Sequence, residues 1–154
     1  MKTLKEILAK KPLHFNFVNP DAKVIDAISL MKIEDISYVI VMEGHNFLGI
    51  LSEKDYTQKV ILQNKNSSNT KVKDIMTKDF PVVTIEESID KCMELMNTFK
   101  VPYLPMFDGH SFKGVITIND LLAASIDEKR ASQNDANFLK DNSNDPNTIQ
   151  HYWI

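Results

Sequence analysis

The hydrophobic positions along this chain change period several times, and then change again in the same order. Val24, Ala27, Ile28 and Met31 recur at three- and four-residue intervals, the spacing of one face of a helix. An apolar run follows at Tyr38–Met42, then Glu43-Gly44-His45-Asn46, then a second apolar run at Phe47–Leu51. Two such runs around a glycine-containing turn predict a β-hairpin. A short extended segment, Phe17–Val18, precedes the first helix, and a second helix is expected from Glu53 to about Gln63. The unit reads β-α-β-β-α. Pro20-Asp21 carries the chemistry of a helix start.

The same unit then recurs. Ile89, Cys92, Met93 and Met96 repeat the helical spacing, with Thr84 to Glu87 as its start. Tyr103–Phe107, Asp108-Gly109-His110-Ser111 and Phe112–Ile116 repeat the hairpin, and a helix is expected from Ile118 to about Glu128. Aligned without gaps at an offset of 65, residues 18–56 and 83–121 share nine identities in 39 pairs. Composition alone gives about two. Leu30/Leu95, Tyr38/Tyr103, Gly44/Gly109, His45/His110, Gly49/Gly114 and Asp55/Asp120 are among them. Upstream, LKEILAK at 4–10 resembles VKDIMTK at 72–78, with three extra residues near His14 before the register resumes. The expected organisation is a first repeat at 4–63, a linker at 64–71, a second repeat at 72–126 and a polar tail at 127–154. The linker Asn64–Thr70 holds no apolar residue. A unit of about 60 residues is marginal alone, so the two copies are expected to pack together with pseudo-twofold symmetry in an α+β fold. The tail is expected to be a frayed helix or disordered, with Phe138 and Leu139 among its few apolar anchors.

Composition narrows the function. The chain has 154 residues, 43% hydrophobic and 25% charged, with a net charge of −3. The lysines are scattered, so neither a nucleic-acid nor a membrane partner is expected. No apolar run reaches the roughly 18 residues of a membrane span, and the start is a poor signal peptide. The cytoplasm is the expected location. Cys92 is the single cysteine, which excludes an internal disulfide, and it reads as a small core residue. His45 and His110 follow the turn glycines and read as solvated turn residues, not metal ligands. No nucleophile–base pair or glycine-rich phosphate loop stands out, so the chain is not expected to be an enzyme. No catalytic residue, metal or obligatory cofactor is assigned.

One motif does carry chemistry. Each hairpin ends in Gly-h-h-Ser/Thr-x-x-Asp, with h apolar: Gly49–Asp55 and Gly114–Asp120. Ser52 and Thr117 fall at the strand-to-helix junction, with Asp55 and Asp120 three residues on. This is close to a helix capping box, although Asp reaches back less well than Glu or Gln. The same hydroxyl and carboxylate suit a ribose diol, and the amide groups of a helix start attract phosphate.

The paired β-α-β-β-α repeat with this motif resembles the cystathionine-β-synthase (CBS) domain pair, or Bateman module. DIMT at 74–77, Val83-Thr84, Leu104-Pro105-Met106 and GVITIND at 114–120 carry the likeness best. It covers about residues 4–126 and is closest to small stand-alone CBS pairs, so no attached enzyme or channel domain is expected. The resemblance implies an adenosyl ligand in the clefts between the repeats, held at the ribose by Asp55 and Asp120. Ser52 and Thr117 would contact ribose or phosphate. Ile36, Ser37 and Tyr38, with Val101, Pro102 and Tyr103, would frame the adenine, and Thr84 would join the site. Lys54 would neutralise phosphate at one site, where the second has Asn119.

The function implied is regulatory sensing of an adenine nucleotide (AMP, ADP, ATP) or a relative such as S-adenosylmethionine or NAD(H), with the nucleotide as regulatory ligand. The alternative is a structural interaction module that binds no nucleotide and acts through dimerisation and partner docking. A homodimer is expected, paired through Val24, Ile28, Met31, Ile89, Met93 and Met96. The apolar end His151–Ile154 is expected to pack back or to dock on a regulated partner protein.

Overall fold

The structure, a computed structural model, describes residues 2–10 and 16–143. Both copies carry the expected order of elements. The first contains helix α1 (Leu4–Lys10), strand β1 (Phe17–Val18), helix α2 (Val24–Glu34), strands β2 (Tyr38–Glu43) and β3 (Asn46–Ser52), and helix α3 (Glu53–Tyr56), which continues as a π-helical turn at Thr57–Ile61. The second contains α4 (Val72–Ile75), β4 (Val83–Thr84), α5 (Ile89–Phe99), β5 (Tyr103–Asp108), β6 (Ser111–Thr117) and α6 (Ile118–Ser143). The fold is α+β, with two three-stranded sheets ordered β1-β2-β3 and β4-β5-β6. In each, the two-residue strand runs parallel to the first hairpin strand. The chain groups into two compact units, residues 1–116 and 117–154.

Local chemistry repeats along with the elements. Both hairpins turn on two residues, with Gly44 at φ +61° and Gly109 at +59° in the first turn position. That is where a type II′ turn needs a positive φ, which glycine adopts without steric cost. Helices α2 and α5 both stop on a left-handed residue, Asp35 at φ 52° and Lys100 at φ 55°. The helix starts differ from expectation. Pro20-Asp21 forms a turn ahead of α2, and Lys23 stands at the N-cap without a side-chain bond. Thr84 lies within β4, and Ser88 caps α5 by accepting from the Lys91 amide at 3.2 Å.

The first core joins α2, the hairpin and α4. Val24, Ala27, Met31, Val39, Val41, Leu51 and Val60 pack with Val72 and Ile75, each large side chain contributing about 1.5–3 kcal/mol by leaving water. The leading helix of the second copy thus completes the core of the first. The reverse holds at the other end. Val72 N–H donates to the Ala22 carbonyl (2.8 Å) and Lys73 N–H to Pro20 (2.9 Å), while Leu4 N–H donates to Glu87 (3.0 Å) and Lys5 N–H to Ile85 (2.7 Å). Lys73 pairs with Asp21 at 3.0 Å, and Lys5 with Glu86 at 3.3 Å. Each bond of one set is the counterpart of one in the other. The two leading helices are exchanged.

The second apolar cluster lies between the hairpins, with Ile40, Ile50, Tyr103 and Val115 at its centre. Here equivalent residues meet each other. Phe47 stacks on Phe112 with ring centres 4.7 Å apart, and Tyr38 lies 5.1 Å from Tyr103. A residue meets its own counterpart only near a twofold axis, so the expected pseudo-twofold runs between the hairpins.

Two further expectations are refined by the structure. Val24, Met31, Ile89 and Met96 are buried within the chain itself and present no surface to a second copy. The large apolar side chains exposed on α2 and α5 include Ile33 (77%) and Phe99 (55%). Helix α6 runs on past Glu128 to Ser143 without a break, so of the two expectations for the tail the helix is the one found over its described part. Its sequence has no Gly or Pro over that length, so no residue breaks the helix, although Asn, Asp and Ser are frequent in it. Phe138 and Leu139 are exposed on it. His14 and His151–Ile154 lie outside the described residues.

Candidate functional site

Strand β3 delivers Ser52 to the start of α3. There the backbone is extended, and the Ser52 hydroxyl accepts from the Asp55 amide at 3.1 Å. The Asp55 carboxylate reaches back to the Ser52 amide and hydroxyl, each at 3.0 Å through Oδ2. The capping box is therefore formed, with Asp in the place of the longer Glu or Gln.

The carboxylate does more than cap. Asp55 is only 5% exposed, and burying a charge requires compensating donors. Its Oδ1 accepts the Thr77 hydroxyl at 2.7 Å and the Lys59 ammonium at 2.8 Å. Lys59 lies one turn along in the π-helical turn, where the Leu62 amide bonds the Thr57 carbonyl at 3.1 Å, five residues back. Its Nζ also donates to the Ile75 carbonyl and to Thr77 Oγ1, both at 3.0 Å. Thr77 is brought in by a strap that follows α4. The strap bonds β3 through Ile50 N–H to the Thr77 carbonyl (3.0 Å) and Thr77 N–H to the Ile50 carbonyl (2.9 Å). Gly49 permits this approach, because a Cβ there would sit 2.6 Å from the Thr77 carbonyl oxygen.

The second copy contributes Tyr103. Burial is the main cause that pushes its phenol above the ordinary tyrosine range; the nearby Asp55 charge pushes the same way, and a hydrogen bond with Ser52 offsets part of it. Its ring packs against Tyr38 and, at 5.5 Å, against Phe80. Ser37 takes part through its backbone, its carbonyl accepting from the Glu53 amide at 3.0 Å. The first site thus joins groups from both copies and from the strap.

The equivalent junction has the same local geometry. The Asp120 carboxylate accepts from the Thr117 amide at 3.0 Å and hydroxyl at 2.9 Å, and the Asp120 amide donates to Thr117 Oγ1 at 3.2 Å. These distances match the first copy to about 0.1 Å.

A family model for the CBS domain matches residues 4–61 and again residues 72–127. This chain belongs to the CBS domain family. A protein with CBS domains from Burkholderia ambifaria MC40-6 is 36% identical, with a TM-score of 0.75 over 81% of this chain and 94% of that one. The mitochondrial CBS domain-containing protein CBSX3 of Arabidopsis thaliana is 30% identical over 71% of this chain and 56% of its own length. A hexameric CBS-CP12 protein from bloom-forming cyanobacteria is 25% identical, with a TM-score of 0.67 over 90% of this chain and 86% of that one. The chain spans between 44% and 62% of the length of the first curated relatives it matches.

The remaining candidate residues of the CBS pair are placed as follows. Ile36, Tyr38 and Val101 are half-buried, Ser37 and Pro102 are exposed, and Thr84 is exposed on β4. Lys54 is exposed on α3, and the ammonium that pairs with Asp55 is that of Lys59. Sequence reasoning missed both Lys59 and Thr77. The four-residue step from Asp55 to Lys59 is the spacing of a helical ion pair and was a usable signal. Thr77 is 22 residues away and has no such local mark. His45 and His110 are exposed in their turns, and among the described residues no group of three or more His, Cys, Asp or Glu could hold a metal. Cys92 is fully buried, and burial pushes its thiol up to about 11. Among the described residues, no helix is long and apolar enough to cross a membrane.

Proposed function

We propose that this CBS pair is a regulatory module, not a catalyst, that takes an adenine nucleotide or a related adenosyl ligand at its two Ser/Thr-x-x-Asp junctions. The supporting observation is the duplicated constellation itself. In both copies a hydroxyl and a carboxylate stand at the end of a buried strand in the same geometry. In the first copy the carboxylate also gathers two donors that capping does not need. A carboxylate that accepts several hydroxyl and amide donors suits the diol of a ribose. In this reading Ile36–Tyr38 and Val101–Tyr103 frame the adenine, Ser52 and Thr117 contact ribose or phosphate, and Thr84 and Lys54 line the approach.

Calorimetric titration of adenosine, AMP, ATP, S-adenosylmethionine and NAD into the wild-type chain, Asp55→Ala and Asp120→Ala tests this. A charge-assisted ribose contact is worth about 1.5–3 kcal/mol, so each substitution weakens its own site roughly tenfold to a hundredfold. If the carboxylates only cap helices, each loss costs about 1 kcal/mol of folding stability and leaves affinity unchanged. That second pattern removes the ribose assignment.

We also propose that the module self-associates, at least as a homodimer. Ile33 and Phe99 expose apolar surface on α2 and α5, and one relative of this fold is hexameric.

A further inference from the structure

We propose that Lys59 and Thr77 form a latch on the first site, so that a ligand binding at Asp55 must displace the Thr77 hydroxyl and with it the side-chain anchor of the strap that follows α4. The inference rests on the nucleotide reading above and adds a mechanical consequence to it.

An ionised carboxylate offers about four acceptor positions. At Asp55 four donors hold them: the Ser52 amide and hydroxyl on Oδ2, and the Thr77 hydroxyl and Lys59 ammonium on Oδ1. A ribose hydroxyl is accepted only where one of these leaves. The Ser52 pair is fixed by the helix start three residues away. The Thr77 hydroxyl comes from a segment 22 residues distant, and the Lys59 side chain is 41% exposed. These two are the donors that can give way.

They are also tied to each other. Lys59 donates to Thr77 Oγ1 and to the Ile75 carbonyl, each at 3.0 Å, so one ammonium spans the carboxylate and the strap. When a ribose hydroxyl takes the place of Thr77, the strap loses its side-chain anchor and is held to β3 by its two backbone bonds to Ile50 alone, which then open more often. The binding event is thereby carried to α4, whose Val72 and Ile75 complete the first core. The second copy has Ala124 where the first has Lys59, and Ala9 where the strap has Thr77. The two residues of the latch are thus not repeated at the matching positions of the other copy.

The test uses the full chain carrying Asp120→Ala, with adenosine as probe so that no phosphate contact of Lys59 intervenes. Adenosine is titrated into this parent and into Thr77→Val, Thr77→Ser and Lys59→Met made in it, and amide exchange of residues 72–79 is followed with and without adenosine. Removing a competing donor should tighten binding about fivefold to tenfold in Thr77→Val and Lys59→Met, while Thr77→Ser stays at the parent value. Adenosine should speed exchange of the Thr77 amide in the parent and leave it unchanged in Thr77→Val. Binding in the parent that is unaltered or weakened in both Thr77→Val and Lys59→Met, with strap exchange unmoved by adenosine, overturns the latch and leaves the nucleotide reading standing. No adenosine binding in the parent or any variant, or binding that survives Asp55→Ala undiminished, overturns the nucleotide reading of this site and the latch with it.

Discussion

Replacing Gly49 with alanine isolates the contact that holds the strap to the hairpin. The φ of Gly49 lies outside the left-handed region, so alanine meets no backbone penalty there. Its Cβ would lie 2.6 Å from the Thr77 carbonyl oxygen and 3.3 Å from Met76 Sδ. The sulfur can move, but the carbonyl belongs to the backbone and moves only with the strap. Two backbone hydrogen bonds, at 3.0 and 2.9 Å, then lengthen or break at about 0.5–1.5 kcal/mol each. Overpacking of this kind costs about 1–3 kcal/mol by itself. The expected loss is about 2–3 kcal/mol, or a fall in Tm of roughly 5–10 °C for a chain of this size. Gly44→Ala is the control. Nothing lies within 4 Å of its added Cβ, but its φ is +61°, so its cost of about 1–2 kcal/mol is conformational and the strap stays in place. Thermal melts give the size of each loss, and amide exchange gives its location. Gly49→Ala should expose the Ile50 and Thr77 amides, whereas Gly44→Ala should leave them protected. A Gly49→Ala protein with unchanged Tm and protected strap amides would refute the argument.

The Asp21 carboxyl is held below its ordinary range by the hydrogen bond from Lys73 and then by that residue's charge. A carboxyl with a lowered folded pKa contributes stability above its unfolded pKa and loses it as pH falls through the folded value. Asp21→Asn should therefore lower Tm at neutral pH and converge with wild type in acid, and the difference should shrink in high salt because both side chains are exposed. Equal differences at neutral and acid pH count against the pair. Light scattering at micromolar concentration should give a mass of at least two chains, and Ile33→Glu should lower it. A strict monomer removes the self-association claim.

The element order was legible because each copy writes the helical period and then a hairpin, and the second copy repeats the message. The capping geometry was legible too, since Ser52 and Asp55 are three residues apart and need no tertiary partner. What the helix face of Val24 and Met31 faces was not legible. Periodicity says that these side chains are buried, and their partners Val72 and Ile75 come from the far side of a polar linker. Thr77 was hidden for the same reason, since its role exists only once the strap lies on β3. The length of α6 was legible only in part: a helix was one of two expectations for the tail, whose polar Asn, Asp and Ser residues left its extent open.

The exchange of leading helices also orders events in time. A chain made from its N-terminus presents α1 before the second repeat, yet the carbonyls of Ile85 and Glu87 that receive its amides emerge some 80 residues later. The first core likewise waits for Val72 and Ile75. Neither half can be finished while the other is missing, and a ribosome that stops after the first repeat leaves a core open on one side. Closing it requires contacts distant in sequence, which are the slow ones in folding. Helix α1, made long before its partners, is among the last elements to find its place.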